Sequence, residues 1–156
     1  MATNPVLDGL TITGFSGILK AAAGVILGSA GVADMPFSMK YGTTTFNMAS
    51  GGSGGNGTGT QAITGVGFTP TVVIFVSNLS PSGSIGMDDG TNHFLLAMTS
   101  NTGYQGNANS IEIPISSSNI SRASISSLDA DGFTLTWTKA GSPTGVATIM
   151  YLAIKA

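Results

Sequence analysis

Beyond Gln61, large apolar residues recur in short runs at a period of two, and each run is cut by a cluster of Gly, Asn, Asp, Ser or Pro. A period of two sends alternate side chains to opposite faces of an extended strand, whereas a helix needs repeats near 3.6. Phe133, Leu135 and Trp137 alternate with Thr134, Thr136 and Thr138, which predicts a strand with one buried face. Ile111, Ile113 and Ile115 alternate across 110–116, and 120–126 alternates again through Ile125. Residues 71–77, TVVIFVS, form a continuous β-branched and aromatic run, as expected of a strand buried on both faces. Residues 94–98 and 147–154 supply two more apolar runs. The intervening LSPSGS, MDDGTN, SNTGYQGNANS, LDADG and KAGSPTG read as turns and loops. Strands at this spacing predict an all-β fold, with an antiparallel β-sandwich or jelly-roll-like knob over 61–156.

The preceding sequence is organised differently. Residues 1–48 form an apolar arm punctuated by Gly and Ala, and 49–60, ASGGSGGNGTGT, have no side chain large enough to bury. That composition predicts a flexible linker between arm and knob. A phosphate-binding loop would end in Gly-Lys-Ser/Thr at a helix start, and no Lys lies between Lys40 and Lys139. Within the arm, 16–27 has the Ala and Leu content of a helix, but Gly17 and Gly24 each cost about 1 kcal/mol in a helix interior. A hairpin turning near 22–24 fits at least as well. The apolar stretch after Lys20 imitates a secretory signal, but Asp8 makes the preceding segment a poor n-region.

Charge narrows the function classes. Only 8% of residues are charged, against about 25% in an average soluble protein. Five Lys and Arg cannot build a face that neutralises phosphates, so no nucleic-acid partner is expected. No apolar run is long enough to span a bilayer as a helix, so no membrane insertion is expected. With no Cys and one His, thiolate and His-cluster metal chemistry are absent from the repertoire. Polarity comes from Ser, Thr, Asn and Gly, and a surface of that kind loses little hydration when it packs against copies of itself.

The residues that carry chemistry are few. Asp88-Asp89-Gly90 and Asp129-Ala130-Asp131-Gly132 are carboxylate clusters, but neither continues into an EF-hand loop, and both read as turns. Whether the two meet in space to hold a cation is open at this level. His93 has no G-x-S-x-G serine on a strand-to-helix elbow to act on, since the one match, 51–55, lies in glycine-rich coil. Glu112 is the only Glu and has no evident carboxylate partner for glycosidase work. No catalysis, metal or cofactor is expected. Trp137 falls in phase with Phe133 and Leu135 and so faces the core. Tyr104, with Gln105, Asn107 and Asn109 around it, is the better candidate for a ligand loop, although Asn and Gly there also suit a plain turn.

Ser16-Gly17-Ile18-Leu19-Lys20-Ala21, then Gly24-Val25-Ile26 and Ala30-Gly31-Val32-Ala33-Asp34, resemble a segment recurrent in bacteriophage fibre and virion appendage proteins. Met35 stands where that family carries Tyr. Residues 67–74, 131–137 and 151–154 resemble phage structural proteins and, more loosely, the H-type lectin β-sandwich. The resemblance implies a viral structural protein on the virion surface, a capsid decoration or head-fibre protein forming a homotrimer. Its arm residues Phe15, Ile18, Leu19, Val25, Ile26, Leu27 and Phe37 would then contact the major capsid protein, another virion protein or neighbouring arms. The alternative it implies is a tail-fibre tip or lectin-like protein binding a host-surface glycan.

Overall fold

Each of the six apolar runs becomes a strand, and four further strands arise where the sequence reads as arm, linker, turn or loop. The structure, a computed structural model, describes residues 37–99 and 103–156. In chain order the strands are β1 Ser38–Asn47, β2 Gly59–Thr64, β3 Val72–Leu79, β4 Ser82–Asp88 and β5 His93–Met98. They continue as β6 Gly103–Gly106, β7 Ile111–Pro114, β8 Ile120–Asp129, β9 Gly132–Ala140 and β10 Val146–Lys155. One sheet has six strands in the order β1-β10-β3-β4-β5-β6, and the other has four in the order β2-β9-β8-β7. All pairs are antiparallel, and the described residues contain no helix. The fold is an all-β sandwich.

Its core lies between the sheets. Trp137 is 1% exposed and stacks on Phe46 with ring centroids 3.7 Å apart and planes 5° from parallel. Its indole N–H donates to Gln61 Oε1 at 2.9 Å, which satisfies the only polar atom of the ring. The Gln61 amide donates in turn to Thr44 Oγ1 and the Thr45 carbonyl, each at 3.1 Å, so one indole ties β9, β2 and β1 together. Phe133 makes edge-to-face contacts with Phe75 and Tyr151, at 5.6 and 5.3 Å between centroids.

Three expectations need correction. The arm boundary at Met48 falls inside the sandwich: β1 pairs with β10 from Ser38↔Lys155 to Asn47↔Val146, and Phe46 and Met48 are buried. The compact unit begins at Phe37. The segment 49–60 is a folded loop running into β2, not a flexible linker. Ser53 N–H donates to the Thr60 carbonyl at 2.9 Å, Gly54 N–H to that of Thr58 at 3.0 Å, and Lys139 Nζ to the Asn56 carbonyl. Glycine is required there for close approach: Gly57 has φ +82°, and a Cβ on it would sit 1.8 Å from the Met48 carbonyl oxygen. Finally, β3 is buried on one face only. Val73, Phe75 and Ser77 point inward, while Val76 points outward and is 40% exposed, because the six-stranded sheet is one outer layer of the sandwich.

The strand least visible in the sequence, β4, joins the two sheets. Its inward positions are Ser82, Ser84, Gly86 and Asp88, all buried, and they face the backbone of β7. Ser82 Oγ donates to the Pro114 carbonyl, and Ser84 Oγ accepts from Glu112 N–H at 3.1 Å. A Cβ on Gly86 would lie 1.8 Å from the Ser110 carbonyl oxygen, so the strands nest only because that position is bare. Asp88 accepts from Ser110 Oγ at 2.7 Å and from the Gly90 N–H at 2.9 Å. Its Oδ2 also takes the Ile125 N–H at 2.8 Å. That donor lies beyond Ile111↔Ala123, the last rung between β7 and β8, and beside an irregularity in the β8–β9 ladder at 125–127.

Asp88→Ala leaves the Ile125 N–H and the Ser110 hydroxyl without their carboxylate acceptor. At about 1–3 kcal/mol per stranded buried group, the expected loss is roughly 3 kcal/mol, read from urea unfolding. An unchanged unfolding midpoint would show that Asp88 does not clamp the sheets.

Candidate functional site

β6 ends the six-stranded sheet and β7 ends the four-stranded one. Strand alternation in β6 then divides the expected ligand loop. Tyr104 is the register partner of buried Ala97 and turns toward the other sheet, whereas Gln105 is the partner of exposed Leu96 and turns away. Tyr104 donates its hydroxyl hydrogen bond to Glu112 Oε1 on β7. Arg122 on β8, the register partner of Glu112, donates from Nε to Glu112 Oε2 at 2.9 Å. The carboxylate is nearly buried, at 6% exposure, and the arginine is 30% exposed. These three side chains share an open cleft of about 600 Å³ with Pro114, Ile115, Ile120 and the residues Ser116 and Ser117.

Gln105 and Asn107 line a different hollow of about 400 Å³, with Phe94 and Gly106, on the outer side of the sheet. Asn109 lines neither hollow. The four loop residues therefore do not converge, and the charged partners of Tyr104 come from strands that are remote in sequence. Only the alternation through 110–116 and 120–126 hinted that Glu112 and Arg122 lie on strands; their pairing depends on a register that no local pattern encodes. Phe37, just ahead of β1, is 42% exposed. Phe15, Ile18, Leu19, Val25, Ile26 and Leu27, like the expected hairpin near 22–24, lie outside the described residues.

The electrostatics of the cleft are coupled. Burial, then the hydrogen bond to Glu112 and its negative charge, push the Tyr104 hydroxyl up to about 12 from its ordinary 10.0, with Arg122 opposing more weakly. A carboxylate held by two donors, a partly exposed guanidinium, an aromatic ring and an apolar wall make a surface on which a small polyhydroxylated ring can stack and hydrogen-bond.

The remaining ionisable groups have structural tasks. Asp89 accepts the N–H groups of Thr91 and Asn92 and the Asn92 side-chain amide, which lower its carboxyl to about 2. Asp131 accepts the Gly67 N–H at 2.6 Å and the Gly65 N–H at 3.0 Å, which lowers its pKa likewise. Asp129 accepts from Thr134 Oγ1 at 2.8 Å. The carboxylates thus serve separate turns and seams, and no group of three or more His, Asp or Glu residues is placed to hold a metal ion among the described residues. Ser110, His93 and Asp88 are the residue types of a catalytic triad, but they are wired for structure. Ser110 bonds the carboxylate in place of the imidazole, and His93 Nδ1, 3.0 Å from Asp88 Oδ2, lies off the line of a hydrogen bond.

Titration of phenolate absorbance should show one tyrosine ionising near 12 that Tyr104→Phe removes. A raised folded-state value means that this contribution to stability is complete below about pH 10 and is lost as the pH climbs toward 12. Loss of a transition near 10 in the variant would place Tyr104 in open solvent, away from Glu112. No family model, curated protein or solved structure matches the chain.

Proposed function

We propose that the chain is a viral structural protein displayed on the surface of a bacteriophage particle. It decorates or stabilises the capsid as a fibre or knob, attaches through its N-terminal arm and assembles as a homotrimer. The observation that carries this reading is one of arrangement: the arm motif at 16–34, similar to phage fibre and appendage proteins, directly precedes a β-sandwich that forms its own compact unit from Phe37. The polar but sparsely charged composition supports it, since permanent assembly does not need the charge that keeps free monomers apart.

Copy number per purified particle, by quantitative mass spectrometry, tests the proposal. Hundreds of copies are expected of a protein that follows the capsid lattice. A few to a few dozen would move it to fibres or the tail, and complete absence from particles would overturn the reading.

A second reading, a tail-fibre tip or lectin-like protein that binds host glycans, is favoured by the Tyr104–Glu112–Arg122 cleft. On that reading Arg122 supplies hydrogen-bond donors to sugar hydroxyls, and Arg122→Ala should weaken glycan binding by the full chain about tenfold or more, the equivalent of one charged hydrogen bond. Equal binding by variant and parent on a glycan array would remove the cleft from consideration.

A further inference from the structure

The outward face of the six-stranded sheet carries no charge and is apolar through its centre, with Thr43, Thr45, Asn47, Thr148 and Asn78 at one end. Strand register aligns Tyr41, Leu152, Ile74, Met87 and Phe94 in one row across five strands. Met150, Val76, Ile85 and Leu96 form the adjacent row. Ile74 and Leu152 are half-buried between their neighbours, but Phe94 is 51% exposed, Met150 52%, Met87 48% and Ile85 46%. No outward position of β1, β10, β3, β4 or β5 holds Asp, Glu, Lys or Arg. Lys40 and Asp88 take the alternate, inward register. An exposed sheet face normally alternates to polar residues on its wet side, so this pattern is the reverse of the ordinary one.

We infer that copies of this chain bury this face against one another. Size is the first argument. Five strands at about 4.8 Å and two full rows at about 6.8 Å, with Met39, Ile154 and Val72 as a further row over three strands, give a footprint of roughly 430 Å² in projection, before the relief of the side chains is added. That is the size of the largest apolar patch on an ordinary monomer, which commonly marks an interaction site, and side-chain relief brings it toward the ~800 Å² per partner of a stable interface. Charge is the second argument. A partner with a basic or acidic surface would find nothing here to pair with, and would bury its own charges uncompensated. A second copy presents a surface equally apolar and equally uncharged, on a chain whose net charge is only -2. The third argument is geometric. Turned toward the three-fold axis of the homotrimer proposed above, the same face of each copy meets those of its two neighbours, and all three are withdrawn from water together. Met39, Met87, Met98 and Met150 lie on this face, and their unbranched side chains adapt to a self-complementary fit.

This inference deepens the assembly reading above and rests on it only for biological setting. Its test uses the purified full chain, so absence of the protein from particles would leave it standing. Sedimentation equilibrium of the parent should give a multiple of the 15.6 kDa chain mass. Ile85→Glu combined with Met150→Glu puts like charges on two exposed central positions that are not register partners, and should raise the dissociation constant about a hundredfold or more without altering the far-UV spectrum of the β-sandwich. A second measurement needs no variant. In the assembled parent, Met87 and Met150 should resist peroxide as buried Met48 does, and should become reactive on dilution below the dissociation constant. A monomeric parent, an assembled double variant, or face methionines that oxidise at the rate of free methionine would each overturn the inference.

Discussion

The sandwich depends on a polar seam. β4 and β7 meet across the two sheets through hydroxyl, carboxylate and backbone groups, in a place where a β-sandwich ordinarily interdigitates aliphatic side chains. Short inward residues bring the β7 backbone close enough for Ser82 to donate to the Pro114 carbonyl and Ser84 to accept the Glu112 N–H, while Asp88 accepts the Ser110 hydroxyl and the Ile125 N–H of β8. An edge strand buried without such partners would leave each group costing a few kcal/mol. The contrast with the Trp137 end of the core is informative. There, Phe46, Trp137 and Gln61 use ring stacking with one satisfied indole; at the seam the same task falls to four small or polar positions on one strand. Apolar burial supplies the bulk of the driving force, and the seam sets how the sheets are aligned.

That alignment makes the cleft. Glu112 is on the seam strand: its backbone N–H goes to Ser84, while its side chain faces Tyr104 and Arg122. The carboxylate that organises the cleft is thus held by a backbone whose position depends on β4. Its two donors come from β6 in one sheet and β8 in the other, so the cleft bridges the ends of both layers.

The fold was legible wherever the inward residues were large. Phe133, Leu135 and Trp137 announce β9, and Ile111 and Ile113 announce β7, because apolar side chains at period two are the ordinary signature of a half-buried strand. The same rule hides β4. Its inward residues are Ser, Ser, Gly and Asp, its outward ones Ile85 and Met87, and its ends lie within clusters that look like turns. β2 escaped notice for another reason: glycine at 51–59 has the composition of a flexible linker, yet backbone hydrogen bonds close it into a tight loop, and β1 was absorbed into the arm because Phe46 is the only large apolar residue among its inward positions. The β3 run shows the limit of composition. A run of Val, Ile and Phe specifies an apolar environment on both sides of a strand without saying whether the second side comes from the same chain. Of the candidate site, Tyr104 was visible as an aromatic among amides, but Glu112 and Arg122 reach it only through pairings set by the whole fold.

β1 and β10 are neighbours along their full length, with Ser38 opposite Lys155. The first and last rungs of the domain are therefore the same rung, and its two ends emerge roughly 5 Å apart. A domain with adjacent ends can sit in the middle of another polypeptide as an excursion little wider than a hairpin, and its backbone can be reopened elsewhere once those ends are joined. More chain can therefore be added beyond either end without disturbing a layer of the sandwich.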